Sequence, residues 1–145
     1  MHLVSLSDVT RPTVDDGFRL AELAAGNRTS ILHYTIEPGV EVPRHQHEHE
    51  QLGYVFAGKL TFILDNGTEI TAGSNDSYAI DANEAHAAAN RGDETVLGID
   101  IFSPPRTNPD WEAWVAQRRA EVESATEGAQ ESLDPETASS GAENE

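Results

Sequence analysis

The sequence predicts a single all-β domain, built as an antiparallel sandwich or barrel. Apolar residues tend to alternate from Phe18 onward, as in the run Thr-Ser-Ile-Leu-His-Tyr-Thr-Ile from Thr29 to Ile36. Turn signals cut the chain at short intervals, at Pro38-Gly39, Ala57-Gly58, Asn66-Gly67 and Ala72-Gly73. Period-two runs of this kind suit strands with one buried face, and frequent turns suit hairpins. A length of 145 residues is ordinary for one core.

The elements follow in order. Residues 1–27 read as an N-terminal arm, with Met1 to Asp16 along the barrel as an arm or edge strand, and residues 28–107 read as the barrel. Strands are expected at Gln51 to Phe56, Ser77 to Ile80, His86 to Asn90 and Thr95 to Phe102. The clearest hairpin is Leu60 to Ile70, where Asn66-Gly67 accepts the positive φ angles of a tight primed turn. After Pro104-Pro105 the period changes: Asn108-Pro109-Asp110 caps a short helix over residues 108–122, with Trp111, Trp114, Val115 and Arg118 at helical spacing. That helix is expected to pack on the barrel, the alternative being that its two Trp line a ligand mouth. Residues 123–145, almost without aliphatic side chains, read as a disordered acidic tail.

Composition narrows the chemistry. Without cysteine there are no disulfides, thiolate ligands or cysteine nucleophiles, so a metal site must be built from nitrogen and oxygen donors. The formal net charge is −17, and Lys59 is the single lysine. Residues 121–145 hold eight acids and no base, so the excess of acids extends well beyond the tail. Such a surface repels nucleic acid and anionic membranes, and neither is expected as a partner. Its composition resembles that of proteins from salt-accumulating archaea, the alternative being an ordinary acidic protein. With no apolar run of roughly 20 residues and no signal-peptide pattern at Met1 to Thr10, the expected location is cytoplasmic.

Among six histidines, His45 and His47 project from one face of a strand, about 7 Å apart along the chain. Gln51 follows four positions later, and His86 opens a later strand that a closed barrel can bring opposite. Three imidazoles and an amide oxygen suit one divalent ion, Zn, Ni, Mn, Fe or Co, with open positions for substrate. The alternative is a polar surface loop. His49 shares the parity of His45 and His47 and could replace a ligand; His2 and His33 have no such partners.

These residues reach a family pattern. Gly39-(five residues)-His45-Gln-His47-(three residues)-Gln51-(six residues)-Gly58 resembles the first motif of the cupins, and Ser77-Tyr-Ala-Ile-Asp-Ala-Asn-Glu-Ala-His86-Ala-Ala-Ala-Asn90 the second. The resemblance covers roughly residues 31 to 102 and implies a double-stranded β-helix, or jelly-roll barrel. Gln51 stands where most cupins have Glu, Asn75 and Asn83 where the family usually has Gly, and Asp81 where it usually has Pro. Asn tolerates the left-handed conformation, so the turns should survive.

Within Gly98-Ile-Asp100-Ile-Phe102-Ser-Pro-Pro-Arg106, Asp100 and Phe102 fall on one face, opposite Ile99 and Ile101. This stretch, with His45 to Gly58, resembles the pectin-degradation cupins that open the ring of 4,5-unsaturated uronate monosaccharides. The resemblance implies His45, His47, Gln51 and His86 on the metal, Asp100, Phe102 and Arg106 at the substrate, and an anionic sugar as the small-molecule partner. Cupins often pair through outer strands, so a homodimer is a further expectation. Two alternatives stay open: another metal-dependent cupin enzyme, such as a dioxygenase or isomerase of a small acid, and a non-catalytic small-molecule-binding cupin.

Overall fold

The computed structural model of the protein describes residues 1–10, 13–107, 120 and 123–124. Among the described residues a 3₁₀ turn at Leu6–Asp8 is followed by ten strands: β1 (Thr13–Asp15), β2 (Phe18–Ala25), β3 (Ser30–Ile36), β4 (Glu41–His45), β5 (Glu50–Ala57), β6 (Leu60–Leu64), β7 (Glu69–Ala72), β8 (Ser77–Ile80), β9 (His86–Ala89) and β10 (Val96–Ser103). They pair antiparallel in two sheets, one ordered β1-β2-β3-β10-β5-β8 and the other β4-β9-β6-β7. From β3 to β10 every connection but the β6–β7 hairpin passes from one sheet to the other. That path is the jelly roll that the resemblance implies, and its two antiparallel sheets are what the period-two pattern predicts.

The inner faces carry the alternating apolar residues. Leu32, Tyr34 and Ile36 of β3, Val55 of β5, Leu60 and Phe62 of β6, Ile80 of β8 and Val96 and Phe102 of β10 are all buried. Two apolar side chains remain outside on β5, Leu52 and Phe56, about half exposed. The strands expected at 51–56, 77–80, 86–90 and 95–102 are present to within a residue or two at their ends. Asn75 and Asn83 have φ of 71° and 63°, so each does take the left-handed conformation in which most of the family places Gly.

Two expectations change in detail. Residues 1–27 are not only an arm. β2 is paired along β3 and puts Phe18, Leu20 and Ala21 into the core, because its own apolar pattern matches that of its neighbour. The β6–β7 turn is also not a two-residue primed turn. Gly67 alone has positive φ, at 81°, and its N–H donates to Leu64 O at 2.9 Å. The result is a type I turn closed by a left-handed glycine, and the Asn66 side chain accepts the Thr68 N–H instead of forcing Asn66 to positive φ. The helix expected over 108–122 and the tail over 123–145 lie outside the described residues, apart from Ala120, Glu123 and Ser124, which are helical. Among the described residues no helix is long and apolar enough to cross a membrane.

Register across the large sheet places Tyr78, Gly53 and Asp100 in one row on β8, β5 and β10. Tyr34 of β3 sits opposite Gly98 of β10. The glycines make room for the rings: a Cβ on Gly53 would lie 1.9 Å from Tyr78 Cζ, and one on Gly98 2.2 Å from the Tyr34 hydroxyl. Both tyrosines therefore lean over a glycine towards Asp100. Gly53→Ala is expected to overpack this row at a cost of about 1–3 kcal/mol, read as a lower midpoint in urea unfolding. An unchanged midpoint would contradict the packing of Tyr78 over Gly53.

Candidate metal centre and substrate cavity

His45 ends β4 and His86 opens β9, and the two are direct partners across the small sheet. His47 follows in the connection to β5, two residues past the end of β4. Their rings converge, with centroid separations of 4.3 Å for His45 and His86, 5.4 Å for His47 and His86 and 5.8 Å for His45 and His47. One nitrogen from each lies within 4.8 Å of the others.

The remaining ring nitrogens settle what faces the cavity. Nδ1 of His45 lies 2.8 Å from Pro43 O, Nδ1 of His47 lies 2.9 Å from His49 O, and Nδ1 of His86 lies 2.8 Å from Glu84 O. A carbonyl can only accept, so each Nδ1 carries the proton and each neutral ring presents a bare lone pair at Nε2. Burial keeps the rings neutral. It is the main cause that lowers both His45 and His47 to a pKa of about 4, with the neighbouring histidines and Arg106 adding to it, and it is the main cause that lowers His86. Nε2 of His86 is buried with no hydrogen-bond partner.

Gln51, buried on β5, completes the set. Its Oε1 lies 3.0 Å from His47 Nε2, and its amide stands near the Asp100 carboxyl, whose pKa it draws down. Oε1 and the His47 lone pair are then two acceptors face to face, an arrangement a cation between them makes favourable. Three bare imidazole nitrogens, one of them an orphaned buried atom, and an amide oxygen fit a borderline divalent metal ion.

Asp100 and Phe102 both point inward on β10, opposite the half-buried Ile99 and Ile101, as the alternation predicts. Burial raises Asp100 to a pKa of about 6, against the pull of hydrogen bonds from Tyr78 and Gln51 and of the charge on Arg106. Phe102 meets the His47 ring edge to face at 5.7 Å, and the Arg106 guanidinium carbon lies 5.2 Å from the Phe102 ring centre. The Arg106 backbone N–H donates to Ser30 Oγ at 2.9 Å, which ties the segment after Pro104-Pro105 back to β3.

All seven residues singled out in the sequence thus lie together, linked by contacts from the three histidines through Gln51 to Asp100 and through Phe102 to Arg106. His49 stands beside them, its ring 5.6 Å from His47 and 6.1 Å from Phe102, but outside the cluster of three. His2 is exposed and His33 lies half-buried on β3. Sequence reasoning missed Tyr34, Tyr78, Gly53 and Gly98. The available signal was a glycine two positions from each of two site residues, in Gln51-Leu-Gly53 and Gly98-Ile-Asp100.

Residues 32–102 match the family model described as a cupin domain. A curated relative, H2HPP isomerase of Bacillus subtilis, is 31% identical over 87 residues, which is 60% of this chain and 36% of that protein. The chain thus spans about a third of the length of this relative. Among solved structures, KdgF from Halomonas sp. superposes with a TM-score of 0.66 at 22% identity, covering 76% of this chain and 97% of that one. The polyketide cyclase RemF from Streptomyces resistomycificus gives 0.64 at 21% identity, covering 71% and 79%. At these identities the structural likenesses concern the fold.

Metal content tests the donor set. Purified protein is expected to hold about one divalent ion per chain by elemental analysis, and His86→Ala less than about a tenth of that. Full retention by the variant would remove the site. The lowered histidines set a pH dependence as well. Protons compete with metal only below the pKa of the free ring, so affinity against a competing chelator should stay flat from about pH 8 down to about pH 5.5 and fall below that. A decline already under way at about pH 6.5, where an ordinary histidine titrates, would contradict the burial effect.

Proposed function

With a cupin domain over residues 32–102 as the premise, we propose that the protein is a metal-dependent enzyme that opens the ring of 4,5-unsaturated uronate monosaccharides to the linear 4-deoxy-5-keto uronate. The substrate class comes from the resemblance of the His45–Gly58 and Gly98–Arg106 stretches to pectin-degradation cupins. The reaction class has separate support from the relative named as an isomerase, since ring opening is an isomerisation.

The observation that supports the reading most is the placement of Asp100, a buried carboxyl with a pKa of about 6 that feels the charge of Arg106 and stands near Gln51, the neighbour of His47. A group that is part protonated near neutrality can both take and return a proton. Ring opening needs both. The proton of the anomeric hydroxyl leaves as the C1–O bond to the ring oxygen breaks, giving a C1 aldehyde and an enolate over C4, C5 and the former ring oxygen. A proton delivered to C4 then leaves a ketone at C5. No atom is lost or gained, so no oxidant or second substrate is needed.

The other residues have matching tasks. Arg106 offers a two-pronged donor to the sugar carboxylate and a local positive charge in an acidic protein. Phe102, 2% exposed, supplies an apolar wall that also holds the His47 ring and the Arg106 guanidinium. His45, His47, His86 and Gln51 would hold the ion, which when bound supplies an electrophile for substrate oxygens. With Gln51 in place of Glu the donor set is neutral, which favours Lewis-acid chemistry over oxygen activation.

The assay is direct. Protein loaded with metal, in high salt, is expected to accelerate the loss of ultraviolet absorbance of a lyase-generated unsaturated uronate monomer. Asp100→Asn should lower kcat by about 10²-fold or more with metal content unchanged, since it removes a proton-transfer group and no ligand. Arg106→Ala should chiefly raise KM, by about tenfold, the worth of one hydrogen-bonded charge. No acceleration by the metal-loaded wild type over buffer would overturn the reading.

A further inference from the structure

Two phenols, the buried Tyr34 and the half-buried Tyr78, play no part in the ring opening, yet both lie towards its acid–base group. The Tyr78 hydroxyl donates to Asp100 Oδ1, and the Tyr34 hydroxyl lies 3.1 Å from that of Tyr78. A phenol carries a single proton. With the Tyr78 proton given to the carboxylate, Tyr78 accepts from Tyr34, and the bonds run in one direction: Tyr34 to Tyr78 to Asp100. Asp100 also stands near Gln51, whose oxygen lies 3.0 Å from His47 Nε2. A line of two hydrogen bonds therefore crosses the inner face of the large sheet and ends at Asp100.

The line is held rigidly. The Tyr78 ring lies over Gly53, where a Cβ would come within 2.2 Å of its hydroxyl, and packs against Phe62 at 4.6 Å. Tyr34 is 2% exposed, with its hydroxyl over Gly98. An aromatic ring has two side-chain torsions, and packing of this kind leaves neither free. A carboxyl group, by contrast, turns about a soft terminal torsion unless its oxygens are bonded.

We propose that Tyr78, backed by Tyr34, is a positioning residue that holds the Asp100 carboxyl in one orientation, so that the chain of phenols aims the acid–base group towards Gln51 and the three histidines. Burial keeps both phenols well above their ordinary range, so they serve as neutral donors. The catalytic consequence rests on the ring-opening reading. The orientation itself does not.

The test uses the full-length, metal-loaded protein. Tyr78→Phe removes one hydroxyl and keeps the ring over Gly53. It is expected to lower kcat about tenfold with KM changed less than about twofold, since it disturbs a group that acts in the transition state and not one that binds substrate. Because Tyr78 acts through Asp100, Tyr78→Phe combined with Asp100→Asn should be no slower than Asp100→Asn alone, within about twofold. A raised KM at unchanged kcat, or losses that multiply, would overturn the proposal.

A second readout needs no substrate, and so separates this proposal from the ring-opening one. In zinc-loaded protein with ¹³C-labelled aspartate carboxyls, the Asp100 resonance, identified by its loss in Asp100→Asn, is expected to move in Tyr78→Phe. It should move less, in the same direction, in Tyr34→Phe, which also serves if Tyr78→Phe does not fold. A resonance that stays in place in the folded variants would overturn the proposal even if the uronate is a substrate. If it moves while wild-type protein opens no uronate ring, the orienting role stands and the substrate assignment fails.

Discussion

The Nδ1–H groups of His45, His47 and His86 each donate to a main-chain carbonyl two residues away, and the arrangement of the cavity depends on that constraint. A neutral imidazole has one N–H. Once the backbone takes it, the other nitrogen is an acceptor wherever the ring points, and here all three rings point at each other. Bare acceptors brought this close repel one another, and the one on His86 is buried without a partner. The same burial that makes this arrangement costly holds the rings neutral at pH values where exposed histidine would protonate.

The large sheet carries the complementary half of the cavity. Gln51, Asp100 and Phe102 reach inward from β5 and β10, two paired strands on which Gln51 lies opposite Phe102 and Gly53 opposite Asp100. Because side chains alternate across a strand, the residues between them, Leu52, Ile99 and Ile101, are turned to the outer face. The glycines in these rows do for the tyrosines what small residues do wherever bulky groups must cross a surface: they lower it. Without Gly53 Tyr78 could not approach Asp100, and without Gly98 Tyr34 could not back it, so the buried carboxyl would lose its phenol donor.

Much of this was legible in the sequence, because it depends on periodicity and on short-range spacing. The alternation in Thr29–Ile36 and Val96–Phe102 indicated strands with one buried face, and it also put Asp100 and Phe102 on the same side. The separation of His45, His47 and Gln51, with His86 at the head of a later strand, outlined the donor set. What could not be read depends on register between strands far apart in the chain. That Tyr78 of β8 reaches over β5 to β10, or that Tyr34 lies opposite Gly98, follows from which residues pair across the sheet, and no local pattern records it. The β6–β7 turn shows the opposite limit: Asn66-Gly67 marked the hairpin correctly, but the Asn66 side chain bonding to Thr68 N selected a different turn from the one the dipeptide favours.

The converging imidazoles are tested most directly by X-ray absorption at the metal edge of the loaded, full-length protein. Scattering from three imidazole rings around one ion, together with oxygen donors, is the expected result. Two or fewer imidazoles, or an ion bound by oxygen alone, would mean that the converging nitrogens of His45, His47 and His86 do not form the metal centre, and would contradict the chemistry built upon it.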